Sequence, residues 1–196
     1  MSFSIQMDVR METERLVLRR FVPDDWKELY EYLSQASVRQ YRPYPVYNEE
    51  AAKTEATYRS RDFYWAVCLK GNEKLIGDVY FRSWNIGVWE IGYSINEKYQ
   101  KNGFATEAVE ALIDDAFKNK GAHRVEARCD PQNMASWRLL ERLGFRQEGR
   151  LLQNTCLEND EDNRLIWTDT FIYGILTTEW RKETKADYTI TTIKVR

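Results

Sequence analysis

The chain has 196 residues, of which 43% are hydrophobic and 14% aromatic, and its formal net charge at pH 7 is −2. This length and apolar content predict one domain with a sizeable core and exclude wholesale disorder. The small net charge gives no general attraction to nucleic acid or to anionic membranes. No apolar run is long enough to span a membrane, and the first ten residues lack the apolar stretch of a signal peptide.

Three cysteines, Cys68, Cys129 and Cys156, are widely spaced along the chain. An odd number without C-x-x-C spacing argues against both a disulfide framework and a zinc site. His123 is the only histidine, and its turn-to-strand surroundings favour a surface or structural role. We therefore expect no metal and a reducing, cytoplasmic setting.

The first half of the chain predicts a strand, two helices and a meander of three strands. Alternation around Leu16 and Leu18 indicates the opening strand, and Asp24 and Asp25 place acids at a helix start before Trp26. In chain order, the predicted elements are a strand at 14–20, a helix from about 24 to 33, a proline-rich loop at 36–47, a helix at 48–59, and strands at 63–69, 75–82 and 88–95.

The second half begins with a strand–helix–strand unit. Val109, Leu112, Ile113, Ala116 and Phe117 form an i, i+3, i+4, i+7, i+8 stripe, which predicts an amphipathic helix at 105–118. The strands on either side of this helix should therefore run parallel. The remaining predicted elements are strands at 125–129, 145–152 and 166–176, a helix at 134–143, an acidic, mobile loop at 158–164, and a tail at 183–196 that adds a strand, exchanges with a partner subunit or stays disordered.

Together these elements predict an α+β fold. Its central sheet is mixed and mostly antiparallel, with about seven strands, one parallel βαβ junction and about four flanking helices. We expect a single domain over residues 1–182 and a C-terminal extension over 183–196, whose role the pattern does not indicate.

A glycine-containing turn joins the strand at 88–95 to the helix at 105–118. It reads Gln100-Lys101-Asn102-Gly103-Phe104-Ala105-Thr106. Backbone N–H groups that converge at a helix N-terminus, which carries about +0.5 of an elementary charge, can hold a diphosphate. Gly103 lets the backbone approach a phosphate closely. The alternative is an ordinary strand-to-helix turn in which glycine only marks the turn.

Four separated blocks, in this order, resemble the GNAT N-acetyltransferases and are most similar to their RimJ/RimL-like branch. They are Thr13-Glu14-Arg15-Leu16-Val17-Leu18-Arg19; Glu90 to Ala108, where Gln100-x-x-Gly103-x-Ala105 fits the pattern Q/R-x-x-G-x-G/A; Asn133-x-x-Ser136 through Gly144-Phe145; and Trp167-x-Asp169 through Tyr173 and Glu179-Trp180. The resemblance spans about Glu12 to Lys182. It implies an acetyl-CoA-dependent enzyme that acetylates protein N-termini or small amines.

The resemblance also implies where the coenzyme binds. The backbone of one strand should pair with the pantetheine arm, which requires that two strands splay apart beyond the parallel junction. The glycine turn should wrap the diphosphate, and Asn133 should bond to the pantetheine arm, cap the following helix, or do both. The expected cofactor-binding residues are Tyr93, Ser94, Ile95, Gln100, Lys101, Asn102, Gly103, Phe104, Ala105, Thr106 and Asn133.

Glu90 and Ser136 are the expected catalytic residues. An amine acceptor with a pKa near 10.4 is mostly protonated at neutral pH, so a base is needed, and Glu90 precedes the cofactor strand. Its alternative role is a solvated strand carboxylate. Many GNAT enzymes have a tyrosine where this chain has Leu140, which cannot donate a proton. Ser136 could hydrogen-bond the sulfur or the carbonyl, or it could simply stabilise the helix N-terminus.

Aromatic residues cluster in or beside the loops that flank the acceptor side in this family. They are Tyr41, Tyr44, Tyr47, Trp84 and Trp89, and they would stack on a cationic amine or only pack against the fold. The acidic run Glu158 to Asp162 could attract a cationic acceptor or be merely solvated.

Two classes of function follow. The first is acetyl transfer to a primary amine, on a protein N-terminus or a small molecule, by direct attack in a ternary complex. The second is a non-catalytic acyl-CoA-binding or regulatory module, which Leu140 favours. We expect no nucleic-acid or membrane partner, and the family resemblance adds a homodimer to the expectations.

Overall fold

The computed structural model describes residues 7–41, 47–61, 63–159, 162–180 and 188–194. Within these ranges, nine strands form one sheet and five α-helices flank it. The strands are β1 (Met7–Glu12), β2 (Leu16–Arg19), β3 (Tyr64–Leu69), β4 (Leu75–Asn85), β5 (Val88–Ile95), β6 (Arg124–Cys129), β7 (Arg146–Asn159), β8 (Leu165–Leu176) and β9 (Thr189–Lys194). The helices are α1 (Trp26–Leu33), α2 (Ala36–Arg39), α3 (Glu49–Arg59), α4 (Phe104–Asn119) and α5 (Met134–Arg142).

The predicted fold class is confirmed. The strand order is β7-β8-β6-β5-β4-β3-β2-β1-β9, and β5 and β6 are its parallel neighbours, while the other pairs are antiparallel. Helix α4 makes the crossover between β5 and β6, as a parallel connection requires. The fold is therefore α+β with a mixed, mostly antiparallel sheet.

The sheet has two more strands than predicted, and both come from the chain ends. Strand β1 pairs antiparallel with β9 from Met7 opposite Lys194 to Glu12 opposite Thr189. Of the three predicted outcomes for the tail, residues 189–194 therefore add a strand. Strand β1 was not predicted. It pairs with the neighbouring β2 at only two positions, Met11 with Leu18 and Glu12 with Val17, and most of its register is with β9, almost the whole chain away in sequence.

Two predicted loops differ in detail from the structure. The loop at 36–47 contains the one-turn helix α2, and its residues 42–46, with Tyr44, lie outside the described residues. The acidic loop at 158–164 is partly strand, because β7 continues to Asn159 and β8 already begins at Leu165. Its residues 160 and 161 lie outside the described ranges.

Each face of the sheet has its own hydrophobic cluster. One cluster joins α4 and α5 to the strands through residues such as Leu112, Leu140 and Ile91. The other joins α1 and α3 to β2, β3 and β4 through residues such as Leu29 and Ala66. Because successive strand residues point to opposite faces, the two faces of β5 present different side chains to the two layers.

Candidate functional site

Strands β5 and β6 lie side by side for only part of their length. Their registered pairs begin at Val88 and end where Ile91 meets Ala127. Beyond that point, residues 92–95 of β5 pair with β4 alone, and β6 continues to Cys129 paired with β8. A wedge therefore opens between the two strands, and residues 92–95 form an open stretch along it. One edge of this stretch can hydrogen-bond an extended ligand as a further strand would.

The loop that follows the open stretch is shaped by its own side chains. The Nε2–H of Gln100 donates to the backbone oxygen of Ile95 over 2.9 Å. The Nδ2–H group of Asn102 donates to the backbone oxygens of Tyr99 and Gln100 over 3.2 and 3.0 Å. These side chains hold the loop in its curve, so its shape does not depend on a ligand.

The backbone of this loop leaves its amides open. Lys101 and Gly103 both adopt left-handed conformations, with φ of 61° and 82°, and Gly103 is the N-cap of α4 without a side-chain cap. Within the part of the chain that the structure describes, none of the amides from Lys101 to Thr106 donates to a protein acceptor. Open amides at a helix N-terminus favour an anion, and phosphate groups bind at such places.

A brace from the start of the chain holds this loop, and sequence reasoning assigned it no role. Arg15 donates from Nη1 to the backbone oxygen of Asn102 over 3.0 Å and from Nε to Glu107 over 2.7 Å. Its guanidinium carbon lies 4.7 Å from the ring centroid of Phe104. Thr13 donates to the same glutamate over 2.6 Å. Thr13 and Arg15 belong to the first block of the family resemblance, which was the available signal.

The second helix beside the wedge is capped by a side chain. The Oδ1 of Asn133 accepts the backbone N–H of Ser136 over 3.1 Å, so Asn133 is the N-cap of α5. This is one of the two roles expected for Asn133. A contact between its amide and a coenzyme stays a prediction.

Tyr93 reaches from the open stretch to the first turn of α5. Its hydroxyl donates to the backbone oxygen of Ser136 over 3.0 Å and lies 3.1 Å from the Ser136 Oγ. Burial raises the pKa of the Tyr93 phenol, an effect that the bond to Ser136 partly offsets. Burial also raises the pKa of the neighbouring Cys129 thiol to about 11, and a hydrogen bond from Ser136 again works against it. Leu140 is fully buried in the core.

Glu90 lies on the other face of β5. By strand alternation, it projects opposite to Tyr93 and toward the same face as Ser94. Its Oε1 lies 4.0 Å from Arg128 Nε and its Oε2 lies 3.8 Å from Arg82 Nη2, with 26% of the side chain exposed. The structure therefore brings Tyr93 and Ser136 together on one face and keeps Glu90 on the opposite face.

A polar cavity of about 180 Å³ adjoins the end of β6. Its lining includes Tyr41, Arg128, Asp130, Thr155 and Asp169. Apart from Tyr41, these residues were not singled out as pocket residues, because they come from segments far apart in sequence.

Of the other predicted acceptor-side aromatics, the three that the structure describes are not among the residues that line this cavity. Tyr47 is buried among α1, α3 and β3 residues, and Trp89 packs against Phe81 with ring centroids 4.8 Å apart. Trp84 is 51% exposed. Packing therefore accounts for two of the four described aromatics.

The part of the chain that the structure describes contains neither a metal-binding cluster nor a membrane-spanning helix. In the described ranges, no cluster of three or more His, Cys, Asp or Glu side chains is arranged to hold a metal ion. None of the helices in those ranges combines the length and the apolar character needed to cross a membrane.

Comparison with known proteins bears on the family and the fold of the chain. Residues 15–146 match the family model described as "Acetyltransferase (GNAT) domain". The "Uncharacterized N-acetyltransferase YnaD" of Bacillus subtilis is 34% identical over 88% of this chain and 99% of its own length. The "[Ribosomal protein uS5]-alanine N-acetyltransferase" of Escherichia coli is 26% identical over 88% and 93%. A GNAT-family acetyltransferase structure from Bacillus anthracis superposes with a TM-score of 0.78 at 32% identity, covering 87% and 99%.

Proposed function

The chain belongs to the GNAT acetyltransferase family, and from that premise we propose that it transfers the acetyl group of acetyl-CoA to a primary amine by direct attack in a ternary complex. One observation carries the proposal: the open amides of Lys101 to Thr106 lie directly after the open stretch of β5. A diphosphate and an extended arm attached to it need these two features next to each other. We further propose that the chain belongs to the RimJ/RimL-like branch, to which its sequence blocks are similar.

The coenzyme would be held mainly by backbone. The amides of the loop would donate to the diphosphate, with the positive end of α4 behind them. The pantetheine arm would pair with residues 92–95, which include Tyr93, Ser94 and Ile95, and the free Nδ2–H of Asn133 would donate to it. This placement directs the thioester toward the first turn of α5.

The two faces of β5 would have different roles: the face with Glu90 would remove protons from the acceptor, and the face next to Ser136 would stabilise the leaving sulfur. Glu90 takes a proton from the acceptor ammonium, directly or through water, and passes it to solvent, so that the neutral amine can attack the thioester carbon. The nitrogen–carbon bond forms, and Glu90 takes the second proton, which the nitrogen must lose to become an amide. As the carbon–sulfur bond breaks, its electron pair goes to sulfur, and the thiolate accepts a hydrogen bond from the Ser136 hydroxyl. The N-terminal end of α5 adds a favourable field for that negative charge. Positioning the two reactants in one complex supplies much of the acceleration.

The acceptor would enter through the polar cavity beside β6. Arg128 lines that cavity and also lies within 4.0 Å of Glu90, which links the cavity to the proposed base. A volume of about 180 Å³ is below the roughly 300–1,000 Å³ of pockets that enclose whole ligands. It suits the reactive end of a protein N-terminus or of a small amine, with the remainder outside.

Residues 1–182 would form the catalytic domain, with 183–196 as an extension that contributes β9. Among the described residues the three cysteines are free thiols, which fits a reducing cytoplasm. A homodimer also remains a proposal from the family resemblance.

The test is acetyl-CoA-dependent release of free thiol with a panel of amines and N-terminal peptides, beside calorimetric titration of acetyl-CoA. Binding with acceptor-dependent thiol release would support the enzyme and identify its acceptor class. Binding without release from any acceptor would favour the non-catalytic acyl-CoA module. Absence of binding would refute the proposal.

The role of Glu90 has a matched control on the same face. We expect Glu90→Gln to lower kcat/KM about 10²-fold, the usual contribution of a general base, while the Kd for acetyl-CoA stays unchanged. Glu126 faces Glu90 across the β5–β6 register, so Glu126→Gln should leave turnover near that of the unmodified protein. Equal losses of kcat/KM in the two variants would show that Glu90 does not act as the base.

A further inference from the structure

Two hydroxyl groups meet where the leaving sulfur of the proposed reaction would lie. The helix position at which the family resemblance implies a tyrosine is Leu140, which is fully buried and offers no proton. A phenol is nevertheless present, because Tyr93 reaches the first turn of α5 from the sheet. We propose that Tyr93 is a positioning residue for acetyl transfer, which orients the Ser136 hydroxyl so that its proton faces the sulfur. This inference rests on the proposed function.

The contact between Tyr93 and Ser136 allows two arrangements of protons. The phenol has one proton and two acceptors within reach, the Ser136 carbonyl oxygen at 3.0 Å and the Ser136 Oγ at 3.1 Å. When the phenol donates to the carbonyl, its oxygen can accept the serine proton, which is then bound to the phenol and not available to another acceptor. When the phenol donates to Oγ, the serine proton is released for another acceptor.

Negative charge on the sulfur selects the second arrangement. A thiolate attracts the serine proton, and the Tyr93 hydroxyl then donates to the Oγ, which strengthens the serine as a donor because hydrogen bonds in a chain polarise one another. The electron pair of the broken bond stays on sulfur, and the proton of the acceptor amine leaves toward Glu90. Tyr93 keeps its own proton throughout, which suits a phenol whose pKa burial has raised.

The charged and titratable neighbours of this pair are Cys129 and Arg142. Ser136 lowers the pKa of the Cys129 thiol, against the larger effect of burial, so the two groups interact. The tests therefore compare complexes that differ only in the coenzyme sulfur, so that Cys129 contributes equally to both.

A purely structural tie between sheet and helix is the competing explanation, and the chain offers a control for it. Tyr173 on β8 is also buried, at 1% exposure, and its hydroxyl donates to Glu141 of α5 over 3.2 Å. Tyr173→Phe removes a similar tie from the same helix, away from Ser136. A structural effect would appear in both variants, whereas an effect on the sulfur would appear only in Tyr93→Phe.

The first experiment titrates the thiol of bound CoA and needs no acceptor. The difference in ultraviolet thiolate absorbance between the complexes with CoA and with desulfo-CoA is followed against pH. We expect Tyr93→Phe to raise the midpoint by on the order of half a pKa unit, Ser136→Ala to raise it further, and Tyr173→Phe to leave it unchanged. An unchanged midpoint in Tyr93→Phe would overturn this inference and leave the proposed function standing. Failure of the unmodified protein to bind CoA would overturn the proposed cofactor and the inference with it.

The second experiment is a double-mutant cycle on turnover. We expect Tyr93→Phe to lower kcat on the order of tenfold with the KM for acetyl-CoA unchanged, and Tyr93→Phe with Ser136→Ala to be no slower than Ser136→Ala alone. Thermal unfolding midpoints close to that of Tyr173→Phe would establish that the variants are folded. Losses that multiply in the double variant would mean that Tyr93 does not act through Ser136.

Discussion

Two helices begin beside the same wedge, and their first turns are built in opposite ways. Helix α4 begins after Gly103, which has a left-handed backbone and no side chain to cap the amides. Helix α5 begins after Asn133, whose side chain accepts the N–H of Ser136. The first arrangement leaves backbone donors for an anion. The second satisfies a backbone donor internally and presents a side-chain hydroxyl instead.

The uncapped start is held in place from outside the helix. Arg15 and Glu107 tie it to the turn between β1 and β2, and Gln100 ties the loop back to the end of β5. A helix end can therefore keep open donors without losing its shape. In this protein the uncapped helix start is stabilised by its neighbours, and the capped one by its own side chain.

The largest effect should come from closing the open helix start with a side chain. At φ 82°, a residue with a Cβ costs about 1–2 kcal/mol, and that Cβ would meet Arg15 Nη2 at 3.3 Å. We expect Gly103→Val to raise the Kd for acetyl-CoA about a hundredfold in calorimetric titration, because several charge-assisted hydrogen bonds of about 1.5–3 kcal/mol each are disturbed.

Gly121→Val is the matched control for this change. Gly121 also has a left-handed backbone, at φ 64°, but a Cβ there meets nothing within 4 Å. It should lose stability by a similar amount and keep its affinity. Wild-type affinity in Gly103→Val would show that the loop is not the diphosphate site.

Two substitutions of Asn133 should separate its role as the cap of α5 from its proposed role as a coenzyme ligand. Asn133→Ala removes the cap and should lower the free energy of unfolding by about 1 kcal/mol, as cap losses usually do, and lower kcat several-fold because Ser136 loses its anchor. Asn133→Asp keeps an acceptor for the Ser136 N–H but lacks the amide donor. It should retain stability and bind acetyl-CoA more weakly.

Asn48 caps α3 through the N–H of Ala51 over 2.9 Å and serves as the reference. Asn48→Ala should reproduce the stability loss of Asn133→Ala without the loss in kcat. If Asn133→Asp binds acetyl-CoA as tightly as the unmodified protein, Asn133 is a cap and not a coenzyme ligand.

Weakening the brace of Arg15, Thr13 and Glu107 should change the affinity for acetyl-CoA less than altering either helix start. Glu107→Gln weakens the partner of Arg15 and Thr13, so the loop should relax and the Kd for acetyl-CoA should rise a few-fold in the same titration. The control is Glu148→Gln, which weakens ion pairs with Arg124 and Arg146 away from α4. Equal affinities in the two variants would show that the loop keeps its shape without the brace.

The smallest effect concerns a carboxylate that anchors the turn before α4. Glu31 bonds to Lys74 over 2.8 Å, to Lys98 over 3.0 Å and to Asn96, and these bonds, chiefly that to Lys74, lower its pKa from 4.5 to about 2. A lowered pKa stabilises the fold above pH 4.5, and this contribution is lost as the pH falls toward 2.

Glu31→Gln should therefore show a shallower loss of unfolding free energy between pH 4.5 and 2 than the unmodified chain. The two chains should have parallel profiles at higher pH, where the glutamate is charged in both the folded and the unfolded state. Identical acid profiles in denaturant titrations would mean that these bonds do not stabilise the fold.

Apolar periodicity and turn residues predicted most of the helices and strands, because both depend on residues close together in the sequence. The apolar stripe from Val109 to Phe117 predicted α4, which the structure extends by one residue at each end to 104–119. The turn around Gly71, whose φ is 107°, joins the predicted hairpin of β3 and β4. Strands β1 and β9 were harder to predict, because β1 has only two registered pairs with its neighbour β2 and otherwise pairs with β9 at the other end of the chain.

The site was predictable as backbone and less so as side chains. The turn around Gly103 lies where it was predicted, because glycine and helix periodicity are local signals. The brace of Arg15 and the bond from Tyr93 to Ser136 join segments far apart in the sequence. Alternation along β5 predicts which face Tyr93 occupies, but only the packing of α5 on the sheet decides which group it meets.

On the proposed function, the open stretch of β5 would also affect how long the protein survives. On the proposed function, acetyl-CoA supplies hydrogen bonds to the native state that the unfolded chain cannot use. A ligand at a hundredfold excess over its Kd adds about 2.7 kcal/mol to the free energy of unfolding. Since proteases remove unfolded chains continuously, the abundance of this protein would then rise with the supply of acetyl-CoA.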